Sequence, residues 1–70
     1  MSARNLRLEG PLLTPTEVSE LLGVPIGTLK MWRYRRTGPR WLKLGRHIRY
    51  RSADISDWLD RVAVTAFGDT

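Results

Sequence analysis

The chain contains no cysteine, so neither a disulfide nor a thiolate metal site can staple it together. No apolar run approaches the ~20 residues that cross a bilayer, and the polar N-terminus lacks the apolar centre of a secretory signal. A cytoplasmic protein with no membrane partner is therefore expected. Length is also short: 70 residues make one small domain, with little chain left to enclose a substrate pocket. No enzymatic activity, catalytic residue or cofactor is expected. Ser, His and Asp occur, but nothing orders them as a triad. Gly23 and Gly27 are not followed by the Gly-Lys-Ser/Thr of a phosphate loop, and His47, the one histidine, has no second metal ligand at suitable spacing.

The most informative absence is of negative charge. Residues 30–51 contain no acid, yet they hold Lys30, Arg33, Arg35, Arg36, Arg40, Lys43, Arg46, Arg49 and Arg51, nine of the twelve basic residues. That window carries +9, whereas the remainder, with three basic residues against seven acids, carries −4. An ordinary solvated surface interleaves the two signs. Sorting on this scale marks a face that binds a polyanion.

What is present supplies the elements. Residues 1–11 read as a loose arm, in which no period is evident, though Leu12 and Leu13 can form a short extended piece after it. Thr14-Pro15-Thr16-Glu17 carries the signals of a helix start: a capping Thr, Pro in the first turn and Glu at the third position. Val18, Leu21 and Leu22 follow at helical spacing, and Gly23 ends a first helix over 15–22. Val24-Pro25 begins a second helix almost at once. Val24, Leu29 and Trp32 form its apolar seam, and Ile26, Gly27, Lys30, Met31, Arg33 and Tyr34 lie on or near its outer face. Thr37-Gly38-Pro39 stops it by about Arg36.

Residues 41–44 and 48–51 alternate as two short strands of a hairpin. A three-residue loop would set Leu42, Leu44, Ile48 and Tyr50 on one face and Trp41, Lys43, Arg49 and Arg51 on an opposite, basic face. Gly45 as first loop residue also suits a two-residue type II′ turn, which would mix the faces. The three-residue register is the preferred expectation. Ser52 then caps a third helix, with Asp54 and Asp57 suiting its dipole and Ile55, Trp58, Leu59 and Val62 as its stripe. The domain is placed at 12–62, with residues 63–70 as a fraying tail. Trp32 and Trp58, on apolar helical faces, are expected in the core. Trp41 either flanks a ligand with Arg40 or covers the second helix.

The expected fold class is mainly α with a small β-hairpin: a winged helix-turn-helix of three helices and a two-stranded wing. A membrane-surface helix would be one longer amphipathic unit, whereas these cations spread over a helix, a loop and a hairpin. Double-stranded DNA is the better partner, with the second helix in the major groove and the wing in the minor groove.

The stretch 14–59 resembles the excisionase/MerR-like helix-turn-helix family, which includes phage and mobile-element excisionases and AlpA-type regulators. The likeness rests on E-x-x-x-L-L-G-V from Glu17, T-L-x-x-W from Thr28, Gly38-Pro39, K-L-G-R-x-I-R-Y from Lys43 and D-x-x-x-W-L from Asp54. It implies a non-enzymatic DNA-binding, DNA-bending protein that steers an integrase toward excision, a recombination directionality factor acting as side-by-side copies. A small transcriptional regulator is the alternative on the same fold. A basic module that docks an acidic protein is the reading from another class. Two positions depart from the family: Pro25 stands where a capping Ser or Thr is usual, and His47 where a second wing-tip Arg is common.

The candidate DNA-binding residues follow. Gly27, Thr28, Lys30 and Met31 would approach base edges or adjacent phosphates, with Tyr34 on the same helix. Lys30 and Arg33 would read guanine or hold phosphates. Arg35, Arg36 and Arg40 would position phosphates, Arg46 would enter the minor groove beside His47, and Lys43 and Arg49 would hold the flanking phosphates.

Overall fold

A computed structural model describes residues 11–67. The expected arm therefore lies outside the described residues except for Pro11, as do residues 68–70. The elements run β1 (Leu12–Leu13), α1 (Pro15–Leu22), α2 (Ile26–Tyr34), β2 (Leu42–Leu44), β3 (His47–Arg51) and α3 (Ser52–Phe67).

Local chemistry accounts for the first two helices. The Glu17 N–H donates to Thr14 Oγ1 at 3.1 Å and the Thr14 N–H donates to Glu17 Oε1 at 2.9 Å, so both halves of the capping box form. α1 closes where the Gly23 N–H donates to the Ser19 carbonyl at 2.9 Å. The Ser19 hydroxyl then donates to the Val24 carbonyl at 2.6 Å, which locks the tight turn into α2. Pro25 caps α2 without a side-chain hydrogen bond.

α2 ends in a way that the residue types conceal. The Thr37 N–H donates to the Trp32 carbonyl at 2.8 Å, and the Arg36 N–H to the Arg33 carbonyl at 3.2 Å. This is the pair of bonds of a Schellman motif, whose turning residue is usually glycine. Here it is Arg36, at φ +59. Gly38 follows at φ +81, and a Cβ built there would lie 2.8 Å from a Trp32 ring carbon. The stop is thus made by Arg36 and Gly38 together, one turn tightened against the Trp32 ring.

The hairpin register differs from the preferred expectation. Leu44 pairs with His47, Lys43 with Ile48 and Leu42 with Arg49, so the loop is the two residues Gly45-Arg46. Gly45 has φ +66 while Arg46 is not at positive φ, the pattern of a type II′ turn, whose twist matches that of the strands. A one-residue change of register flips every side chain. Lys43 therefore shares the face of Ile48, whereas His47 and Arg49 share the other with Leu44 and Leu42. No single basic face exists on the wing.

Two further boundaries are corrected. The sheet has three strands in the order β1-β3-β2, not two, because Leu12 and Leu13 pair with Arg51 and Tyr50 and the Ser52 N–H donates to the Pro11 carbonyl at 3.2 Å. α3 runs past Val62 to Phe67, as a stretch without Gly or Pro allows.

The core takes one side chain from each principal element: Val18 of α1, Leu29 of α2, Tyr50 of β3 and Ile55 of α3. Leu13, Leu22, Val24, Trp32 and Ile48 pack around it. Trp32 and Trp58 meet with ring centroids 5.3 Å apart at 49°, a tilted aromatic contact that draws α3 onto α2. Both tryptophans are packing residues, as their helical faces imply.

Candidate nucleic-acid interface

The fold sets α2 beside the wing, and the join is specific. The Arg33 guanidinium donates to the Tyr50 hydroxyl at 2.7 Å and lies 6.0 Å from the Trp41 ring centroid. A buried tyrosine needs a partner for its hydroxyl, and Arg33 supplies it from the neighbouring element. Arg33 is half-buried, so it ties helix to wing instead of standing free on the outer face. Trp41 lies against this arginine of α2 while remaining 37 % exposed, an arrangement compatible with both of its sequence readings.

Between the end of α2 and the start of the wing is a cleft of about 470 Å³. It is lined by Arg33, Arg36, Arg40, Trp41 and the 37–39 segment. Three arginines line it with no acid among the lining residues, a composition suited to a phosphate. Arg36 is present at a backbone position where an L-residue costs about 1–2 kcal/mol. Strain of this kind persists where the surroundings hold it and function uses the side chain. Arg36→Gly should accordingly stabilise the fold by about 1 kcal/mol in urea denaturation while weakening DNA binding in a gel shift. A variant no more stable than the parent, or one that binds as well, would contradict this account of Arg36.

The remaining candidates are distributed as follows. Gly27, Lys30, Met31 and Tyr34 form an exposed stripe along α2, joined by Ile26. Thr28 is half-buried. Arg35, Arg36 and Arg40 are exposed beyond the helix end, and Lys43, Arg46 and His47 are exposed on the wing, with Arg46 at its tip. Arg49 is half-buried and donates to the Ile48 carbonyl at 2.7 Å. Arg51 bridges Asp54 at 3.3 Å, and within the 30–51 window it alone pairs with a described acid. Because the register splits Lys43 from Arg49, the two cations meant to flank the wing tip stand on opposite faces of it. Ile26 was absent from the candidates; its 50 % exposure follows from the same helical spacing that exposes Lys30.

The outer face of α2 is acid-free, but it is not basic as the charge count suggests. Its one cation is Lys30; Arg33 turns toward Tyr50, and Arg35 and Arg36 fall past the helix. The positive field belongs mainly to the helix end and the wing.

A family model described as a helix-turn-helix domain matches residues 12–63. The chain belongs to this family. The helix-turn-helix domain family includes AlpA- and excisionase-like small DNA-binding proteins, and α1, the 23–25 turn and α2 are its two helices and turn. No curated protein and no solved structure matches the chain. Membership assigns double-stranded DNA binding to this helix-turn-helix domain. Among the described residues no group of three His, Cys, Asp or Glu could hold a metal ion, and no helix is long and apolar enough to cross a membrane.

Proposed function

We propose that this helix-turn-helix protein is a sequence-specific, DNA-bending accessory factor, an excisionase that steers an integrase toward excision and acts without a catalytic group of its own. The observation that carries the DNA-binding geometry is the arrangement of α2 beside a wing tipped by Arg46, with an arginine-lined cleft between them. α2 enters the major groove, Arg46 enters the adjacent minor groove, and Arg36 and Arg40 hold the phosphates between. Lys43 on one face of the wing and Arg49 with His47 on the other reach the two strands that border the minor groove. An exposed cation at the tip suits a narrow minor groove, where the negative potential is deepened.

The excision role rests on the motif resemblance over residues 14–59 and on the small-protein members of the family. A single module offers a small interface, so several copies bind side by side, and their contacts bend the duplex between them.

Arg46→Ala should weaken binding about tenfold, the loss of one charge-assisted contact worth roughly 1.5 kcal/mol, with an unchanged circular dichroism spectrum. Unaltered affinity in a gel shift would remove the wing tip from the interface. The excision role is tested by reconstituting excision with an integrase encoded beside this gene, with and without the protein. Stimulated excision supports the proposal. Unchanged excision together with repression of a reporter promoter would assign the transcriptional-regulator role instead.

A further inference from the structure

α2 is the element that enters the major groove in the reading above, yet its outward stripe is poor in groups that read bases by hydrogen bonding. The helix, Ile-Gly-Thr-Leu-Lys-Met-Trp-Arg-Tyr, contains no Asn, Gln, Asp or Glu. Thr28 is half-buried and Arg33 is engaged with Tyr50. Lys30 is left as the exposed cation on the stripe, with the Tyr34 hydroxyl at its C-terminal end. Ile26 and Met31 are instead 50 % and 46 % exposed. Large apolar side chains aimed at a polyanion need an apolar group to meet, and in the major groove a base pair presents one: the C5-methyl of thymine.

We propose that Ile26, Gly27 and Met31 form an apolar reading surface for thymine methyl groups, and that this contact sets the sequence preference of α2. The proposal rests on the DNA-binding reading and adds which base is read and by what. Gly27 supports it independently. A Cβ at Gly27 would meet nothing within 4 Å, and its φ is not in the left-handed region. The fold therefore does not require glycine at this first-turn position. A ligand that must approach the backbone closely does require it, and Gly27 sits between Ile26 and the next turn at Met31. Charge selects DNA as the occupant over a second copy of the chain. Lys30 lies on the stripe itself and Arg35 and Arg36 beyond its end, so two such faces would set cation against cation.

The test selects a tight-binding duplex from a random-sequence pool with the full chain, then remakes that duplex with deoxyuridine in place of thymidine. This removes the major-groove methyl groups and leaves the minor groove unchanged. The wild type should bind the deoxyuridine duplex more weakly, by about fourfold for each contacted thymine, the factor expected from exposing one methyl-sized group. The Ile26→Ala/Met31→Ala double variant, its fold checked by circular dichroism, should bind both duplexes equally. Equal binding of both duplexes by the wild type would overturn the methyl readout and leave DNA binding intact, as would a selected sequence without thymine. Failure to bind any duplex would overturn the DNA-binding reading and this inference with it. Sedimentation showing a DNA-free dimer that Met31→Ala dissolves would also overturn it, by assigning the stripe to self-association.

Discussion

Gly38→Ala should destabilise the domain by about 3 kcal/mol, more than alanine at any other described glycine. Two independent terms add. At φ +81 an L-residue pays about 1–2 kcal/mol in backbone conformation, and the new methyl would sit 2.8 Å from a Trp32 ring carbon and 3.0 Å from its Cβ, an overpacking of about 1–3 kcal/mol. Trp32 also packs against Trp58, with ring centroids 5.3 Å apart, so moving its ring would disturb that contact as well. A domain of this size sits at the low end of the usual ~5–15 kcal/mol of stability, so a large share of it would be lost. The urea midpoint measures the effect. Trp32→Leu/Gly38→Ala, compared with Trp32→Leu alone, removes the clash with the ring carbons and keeps the one with Cβ, so the loss should be smaller than in the parent but no less than the conformational cost of about 1–2 kcal/mol. A single variant within ~0.5 kcal/mol of the parent would show that the close approach is not maintained in solution.

Raising monovalent salt from ~50 to ~200 mM should weaken DNA binding by roughly 500-fold. Each phosphate neutralised on a duplex adds about 0.9 to the slope of log affinity against log salt. Lys30, Arg35, Arg36, Arg40, Lys43 and Arg46 are exposed, and about five phosphate contacts among them give a slope near −4.5. Arg51 does not enter this count, since it already bridges Asp54. Affinity measured by fluorescence anisotropy across a salt series gives the slope directly. A flat dependence would leave the basic window without a role in binding.

How much of this was legible in the sequence differs by element, and the reason is the range of the interaction involved. α1 is correct to the residue because its start depends on Thr14 and Glu17, three positions apart, and its end on Gly23. The Trp32–Trp58 packing was legible because each residue lies on an apolar helical face. The wing register was not, because Gly45-Arg46-His47 allows two loops and the choice between them reverses every side chain from Trp41 to Arg51. Gly45 in the first loop position was the signal that matches the observed two-residue turn. β1 was legible as a short extended piece at Leu12 and Leu13, but its pairing with β3 was not, because two residues have no period. The interface suffered from averaging. A charge count over 30–51 merges Lys30 with arginines beyond the helix, and so it concealed that the outer stripe of α2 is largely apolar. Arg36 in a left-handed turn has no signature at all in residue types, since glycine is what that position ordinarily selects.

The segment from Trp32 to Trp41 is braced at four points: Thr37 bonded back to Trp32, Gly38 against the indole, Pro39 buried and Arg33 bonded across to Tyr50. In the proposed binding mode, where α2 and the wing enter neighbouring grooves, such bracing makes the protein a caliper of one gape and the duplex the softer body. Any mismatch between that gape and the groove spacing of relaxed B-DNA would be taken up by the DNA. Pyrimidine–purine steps, which deform cheaply, should then be favoured beneath the jaws even where no side chain touches a base.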